Sequence, residues 1–496
     1  MINNTLIKKK KALSLFIASA LLAGAAHAEV KLIAVGTVDG AYEDLSAATA
    51  APLENGVPGN RLGGVGSGLA YAGGNTFLAL PDRGPNADAY NSAVDDTVSY
   101  IARFQTFRLS LQPSDPGSQW PFTLTPTLRD TTLLSSRAAL VYGSGDGIGY
   151  QVDGVTPMGS GAPALNAVNH THYFTGRSDN FDPSQPSTNP RNARIDPEGI
   201  RVSPDGRRVY VSDEYGPFLY EFDRESGERL RAFKLPDNLA IATLSSQKDV
   251  EIGDNTSGRT TNKGMEGLAI TPDGRTLVGF MQANLLQDKK KNLRIVTIDL
   301  RTGRTHEYAY LLTDGSGVSE VLAVNDHQFL VDERDGTGMA DTPLLTDTAS
   351  AAEIKKLYLI DLDGAQDVSG ISGDLSAYAV TKDAVPFLDI VAKLTEAGIN
   401  PYLIPSKIEG IAFGQDVVVD GVTKHTLFVA NDNDFLATIA DPLKSPGDPS
   451  RGLVPNPNQF YVFSFDDSDL PGYVPEKIRE LGDDCRDRGG LPFKRH

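Results

Sequence analysis

One pattern recurs along this chain, and it limits the folds open to it. Asp196-Pro197-Glu198-Gly199-Ile200 runs through Ser203-Pro204-Asp205-Gly206 to Val209-Tyr210-Val211-Ser212-Asp213-Glu214. Met265-Glu266-Gly267-Leu268 runs through Thr271-Pro272-Asp273-Gly274 to Leu277–Gln282, and Ile408-Glu409-Gly410-Ile411 runs to Leu427–Asp434. Fainter copies are Ser319-Glu320-Val321-Leu322 to Phe329–Glu333, and Gly66-Ser67-Gly68-Leu69 to Phe77–Arg83. Each copy reads as strand, turn and strand, the turn being longer in the Ile408 copy, with acids at fixed ends. Such a unit cannot bury its apolar face alone, so its repetition predicts a radial β array.

A third strand follows each acidic end, at Tyr100 to Leu109, Phe218 to Phe222, Leu293 to Leu300, Lys356 to Leu362 and Phe460 to Phe465. Asp-x-x-Thr/Ser-Gly turns (Asp223 to Gly227, Asp299 to Gly303) lead on to fourth strands such as Thr305 to Leu312. Four antiparallel strands per unit make an all-β propeller of five detectable blades, and Gln112 to Asn192 leaves room for a sixth. Val30 to Val38 is expected to supply the last blade's outer strand and close the ring. A sandwich needs no repeated acid position, and a solenoid would repeat at shorter, more regular intervals.

The organisation read from the chain is a leader at 1–28, a propeller over 29–470 and a polar tail at 471–496. Insertions are expected near 143–192, rich in Gly, Pro, Ser and Asn, and at 383–399, whose apolar spacing predicts a helix. Lys8 to Lys11, the apolar Ala12 to Gly24 and Ala26-His27-Ala28 have the form of an export signal cleaved after Ala28. The protein is therefore expected in the periplasm or outside the cell, with no membrane anchor. Cys485 is the single cysteine, so no intramolecular disulfide can form. The formal charge is −18, with 64 acidic against 46 basic side chains. That balance argues against nucleic acid as a partner, because phosphate contacts need Lys and Arg.

The hairpin geometry fixes where the acids go. The inner strand starts at the Glu, turns and comes back, so Glu198 and Asp213, or Glu409 and Asp432, share one end. The ends converge on the mouth of the central channel. Candidate ligands of a divalent cation are Glu198, Glu266 and Glu409, then Glu320, Asp213, Glu214, Asp332 and Asp432. Asp82, Gln282, Glu333 and Asn431 are candidate substrate contacts. Crowded carboxylates raise one another's pKa values unless a cation compensates, and hard oxygen donors select Ca²⁺ or Mg²⁺. Arg83, Lys263, Arg334 and Lys407 flank the same positions and are candidate catalytic cations for an anionic substrate. The competing structural role for each acid is to cap backbone N–H groups. His170-Thr171-His172 has alternating rings but no evident third ligand, which favours a loop or surface pair.

Ser203 to Gly216, Leu80-Pro81-Asp82-Arg83-Gly84 and the repeated Glu-Gly-Ile/Leu resemble the phytase-like, "esterase-like activity of phytase" family of exported bacterial proteins, over roughly residues 60 to 466. The resemblance implies a propeller and a calcium-dependent hydrolase of phosphate esters. The Glu-Gly openings are also similar to those of gluconolactonase-like propellers, where such a Glu binds the catalytic metal. The alternatives are a metal-dependent lactonase or carboxyl-ester hydrolase, and a non-catalytic calcium-stabilised propeller that binds a sugar or envelope partner.

Overall fold

The computed structural model describes residues 30–85, 90–95 and 97–481; the leader, Cys485 and the end of the tail lie outside the described residues. Five antiparallel sheets are arranged as a β-propeller. Blade 1 comprises Gly68–Tyr71, Thr76–Leu80, Arg103–Pro113 and Phe122–Leu133. Blade 2 comprises Pro197–Val202, Arg208–Asp213, Phe218–Asp223 and Arg229–Lys234. Blade 3 comprises Met265–Ile270, Thr276–Met281, Asn292–Asp299 and Thr305–Leu311. Blade 4 starts with Gly317–Ala323, Gln328–Arg334 and Lys355–Asp361, and its outer edge is two short pieces, Thr381–Lys382 and Leu388–Asp389. Blade 5 comprises Ile408–Phe413, Val422–Asn431 and Asn458–Phe465, completed by the N-terminal strand Lys31–Val38. That strand pairs antiparallel with Asn458–Phe465, so chain start and chain end share a sheet and close the ring as expected. No sixth sheet of this kind occurs among the described residues; Gln112 to Asn192 holds blade 1's outer strand and an insertion with one short helix, Ala164–Asn169.

Each inner strand is buried throughout in blades 2 to 5, and neighbouring inner strands pack against each other around the axis. The Glu-Gly motif has a physical explanation here. Pairing with the second strand slips between Pro197 and Ile200, Met265 and Gly267, and Ile408 and Gly410, with a similar slip between Val318 and Val321. A bulge of this kind re-aims the side chain it carries, which is the Glu. The Gly beside it serves the close approach of the next blade. A Cβ on Gly199 would lie 2.6 Å from Leu268 Cβ, and one on Gly68 would lie 2.4 Å from the Glu198 carbonyl oxygen. Ser212 Oγ ties the same seam, accepting from Gly199 N at 2.7 Å and donating to Glu266 O at 2.9 Å.

One expectation is corrected. Of 383–399 only Ile390–Glu396 is helical, N-capped by Asp389, whose carboxylate accepts from Ala392 N. Pro386 and the strand Leu388–Asp389 occupy the stretch before it, and Val385 is exposed although it fitted the helical spacing. The described part of the polar tail is packed on the ring. Residues 471–481 form a strap across the face that carries the Pro-Asp-Gly turns. Val474 N donates to Val324 O and Arg479 N to Pro204 O, Tyr473 packs on Phe413, and Ile478 packs on the core between blades 1 and 2.

Candidate functional site

At the end of the axis where the bulged strands begin, the five hairpin ends enclose a cavity of about 270 Å³. Glu198, Glu266 and Glu409 enter it from the bulges of blades 2, 3 and 5. Asp82, Glu214, Gln282 and Asp432 enter from the ends of second strands, and all four expected cations, Arg83, Lys263, Arg334 and Lys407, line it too.

Three of those cations are already engaged. Arg83 pairs with Asp196 at 2.6 Å and stands 4.0 Å from Glu214. Arg334 pairs with Glu409 and donates to Ser319 Oγ. Lys407 bridges Asp432, at 3.2 Å, and Asp434. The Lys263 ammonium has no ion-pair partner among the described residues. On the acidic side, Glu266 accepts from Gln282 Nε2 at 2.6 Å on one oxygen. Its Oε2 and the Oε2 of Glu214 are buried without a hydrogen-bond partner.

Burial holds these carboxyls toward their protonated forms, and their mutual repulsion adds to it. Glu214 is pushed up to about 8 by burial and by the charge of Asp196. Burial also pushes Asp432 up to about 7, against the opposing pull of Lys407. Glu198 lies well above the carboxylate range because it is buried beside Glu266, Asp196 and Glu214. Glu266 does so because it is buried beside Glu214 and Glu409, and Asp82 because it is buried beside Asp432.

Among the described residues two groups bring three carboxylates close enough to hold a metal ion: Asp196, Glu198 and Glu214, and Asp82, Asp432 and Asp434. The first fits a divalent cation on independent grounds, because the orphaned Oε2 of Glu214 belongs to it. Hard oxygen donors of this kind suit Ca²⁺ or Mg²⁺. Glu266 and Glu409 lie outside both groups, so the three leading glutamates reach one pocket without forming one ligand set. His170 and His172 belong to neither group; His172 pairs on the short strand with Ser136.

Five expected residues do not line the pocket. Glu320 sits on the inner strand of blade 4, where its carboxylate accepts from Leu268 N and Val321 N and pairs with Arg201 at 3.0 Å. Arg201 also donates to Leu69 O and Val321 O, drawing blades 1, 2 and 4 together. Asp332 is buried with both oxygens unpartnered, and burial pushes it up to about 8. Asp213 accepts from Asp196 N and Tyr215 N, a capping role, and burial pushes it up to about 7. Glu333 follows Asp332 on the strand and so points to the opposite face, accepting from Tyr310 Oη and Asp314 N. Asn431 caps a strand end, accepting from Gln459 N.

The sequence reading passed over Asp196, Asp434, Asn262, Ser316 and Ser319. Asp196-x-Glu198 and Asp432-x-Asp434 carried an i, i+2 signal that puts two carboxylates on one side. Asn262 and the serines carried none.

A protein of Arthroderma benhamiae described as an uncharacterized secreted protein is 27% identical over 301 residues, covering 52% of this chain and 55% of that protein. The chain thus spans about half the length of this relative. No helix among the described residues is long and apolar enough to cross a membrane. Similar solved structures include a luciferin-regenerating enzyme, at 12% identity and TM-score 0.31, covering 90% of this chain and 100% of that one. The periplasmic gluconolactonase of Pseudomonas aeruginosa is similar at 13% identity and TM-score 0.30, covering 87% and 99%. The propeller rests on the strand pairing described above and not on these likenesses. Residues 60–435, which include every pocket-lining residue, match a family whose description fits a hydrolase: the chain belongs to the phytase-like family, "esterase-like activity of phytase".

Proposed function

We propose that this protein is an exported, calcium-dependent hydrolase of phosphate esters acting at the channel mouth, with Mg²⁺ or another divalent ion as the alternative cofactor. One observation carries the reading: buried carboxylates with unpartnered oxygens share a cavity with an ammonium that has no counter-ion among the described residues. Asp196, Glu198 and Glu214 would hold the ion, and Asp82, Asp432 and Asp434 offer a second place. A divalent ion bound there supplies charge neutralisation at phosphoryl oxygens and a more acidic water.

The chain's own groups supply the rest. Lys263 is free to meet the phosphoryl charge and its increase in the transition state. Arg83, Arg334 and Lys407 hold the carboxylates in place instead of gripping substrate, which revises the role expected of them. Burial beside Glu214 and Glu409 favours the protonated form of Glu266, and Gln282 fixes one of its oxygens, an arrangement suited to a general acid. In the step, a water oxygen forms the new bond to phosphorus as the ester P–O bond breaks. Glu266 gives its proton to the departing alkoxide and recovers one from the attacking water.

The test is phosphate release from a panel of esters by the mature protein, with Ca²⁺ or Mg²⁺ present and after chelation. Release that requires the cation is expected, and no release from any ester would sink the reading. The pairing of three of the four cations favours a second reading, a metal-dependent lactonase or carboxyl-ester hydrolase, whose neutral substrate needs no cationic grip. Lys263→Met separates them. It should lower phosphate-ester turnover about tenfold or more, as loss of one charge-assisted bond implies, and should leave a neutral lactone unaffected.

A further inference from the structure

The pocket holds neutral polar groups beside its charges. The groups able to hold a cation come from blades 1, 2 and 5. Blades 3 and 4 carry Lys263, Glu266 and Arg334 and add neutral polar groups beside them: Asn262 before blade 3, Gln282 after its second strand, and Ser316 and Ser319 at the start of blade 4. Asn262 lines the pocket, and its Oδ1 is buried with no hydrogen-bond partner among the described residues. Not one aromatic or aliphatic side chain lines the pocket among the described residues.

We propose that the substrate is a small sugar or polyol carrying a single phosphoryl group, an inference that rests on the hydrolase reading above. Its phosphoryl end lies between the cation-holding carboxylates and Lys263, and its hydroxyls lie against Asn262, Gln282 and Ser316. Three observations converge on this class. Amides and hydroxyls that both donate and accept are the complement of a hydroxylated carbon skeleton. The missing apolar wall leaves a nucleobase, aryl group or acyl chain nothing to stack on or pack against. Among the described residues one uncommitted ammonium matches one phosphoryl group, whereas further phosphates would face Asp82, Glu198, Glu266 and their neighbours with no other unpaired cation in the lining to offset the repulsion. The volume agrees, since about 270 Å³ lies below the usual range of roughly 300–1,000 Å³ for ligand sites.

Gly336 gives a direct way to test the shape. It lines the pocket, and a Cβ there meets nothing within 4 Å, so Gly336→Leu adds bulk to the mouth without a clash in the fold. Ser316→Ala removes a lining hydroxyl that has no hydrogen-bond partner among the described residues.

The experiment is calorimetric binding in Ca²⁺ of glucose 6-phosphate, adenosine 5′-monophosphate, inositol hexakisphosphate and inorganic phosphate, with phosphate release measured in parallel. Glucose 6-phosphate should bind about tenfold tighter than the other three, the equivalent of one or two hydrogen bonds to the polyol. Gly336→Leu and Ser316→Ala should each weaken glucose 6-phosphate about fivefold and leave inorganic phosphate unchanged. Equal or tighter binding of the hexakisphosphate or the nucleotide overturns the inference, as does no binding of any probe or an equal loss for all probes in both variants. Selective binding of glucose 6-phosphate without release of phosphate upholds the recognition and sinks the hydrolase reading alone.

Discussion

Glu198 and Glu409 open the same motif, yet their surroundings give them different work. Glu198 belongs to a group of three carboxylates, whereas Glu409 is neutralised by Arg334. Glu198→Gln should weaken Ca²⁺ binding by about 1–3 kcal/mol, the worth of a charged ligand bond. Glu409→Gln should change the affinity little and instead lower stability by about 1–3 kcal/mol, because Arg334 loses its buried partner. Calorimetric titration and chemical denaturation of both variants check this pair. The raised carboxyls make stability depend on pH. Glu214, pushed up to about 8, binds its proton more tightly folded than unfolded, as do Asp432 and Asp332. Their stabilising contribution is complete below about pH 4 and is lost as pH rises through 7 to 8. Metal-free protein should therefore melt lower at pH 8 than at pH 5, by roughly 5 °C or more, and Ca²⁺ should raise the melting temperature more at pH 8. An equal Ca²⁺ shift at both pH values would show that the raised groups do not meet the ion.

At the scale of the element, the Glu-Gly bulge links the site to the ring. The bulge aims the Glu, and the Gly lets the next blade close up against it. Gly199→Ala should lower stability by about 1–3 kcal/mol by overpacking against Leu268 and the Glu266 carbonyl. It should also disturb cation affinity, because the seam it widens carries two of the pocket's glutamates. Thermal denaturation and Ca²⁺ titration of the variant measure both effects. Blade 4 shows what the motif requires. Val321 stands where the other copies have Gly, and Glu320 beside it does not reach the pocket but binds Arg201 and backbone N–H groups. The predicted helix at 383–399 was shortened by a local conflict, since Pro386 and pairing to blade 4 compete with helical spacing.

At the scale of the molecule, the ring is held at two places. The N-terminal strand completes blade 5, and the strap at 471–481 ties blades 4 and 5 to blades 1 and 2 across the face opposite the pocket. Glu476 on the strap is pushed up to about 6 by burial, with Arg201 opposing. Ending the chain after Leu470 should lower the melting temperature by roughly 2–5 °C, as expected for the loss of a few buried contacts in a domain of this size. Ca²⁺ affinity should be unchanged, because the contacts of the described strap lie on the face opposite the pocket. An unaltered melting temperature would reduce the strap to a surface ornament.

Periodicity along the chain was enough to specify the five blades, the closing strand and the convergence of Glu198, Glu266, Glu409, Asp82, Glu214 and Asp432 on one mouth. These follow from strand alternation and hairpin return, which are local rules. Which carboxylates meet one another, and which are consumed by a cation, was decided only by the tertiary structure. Arg83 reaches Asp196 across blades 1 and 2, Arg334 reaches Glu409 across blades 4 and 5, and Arg201 draws Glu320 out of the set. Such pairings join residues far apart in the chain, and their outcome depends on where each bulge turns its side chain by a few ångströms. No sequence period encodes that.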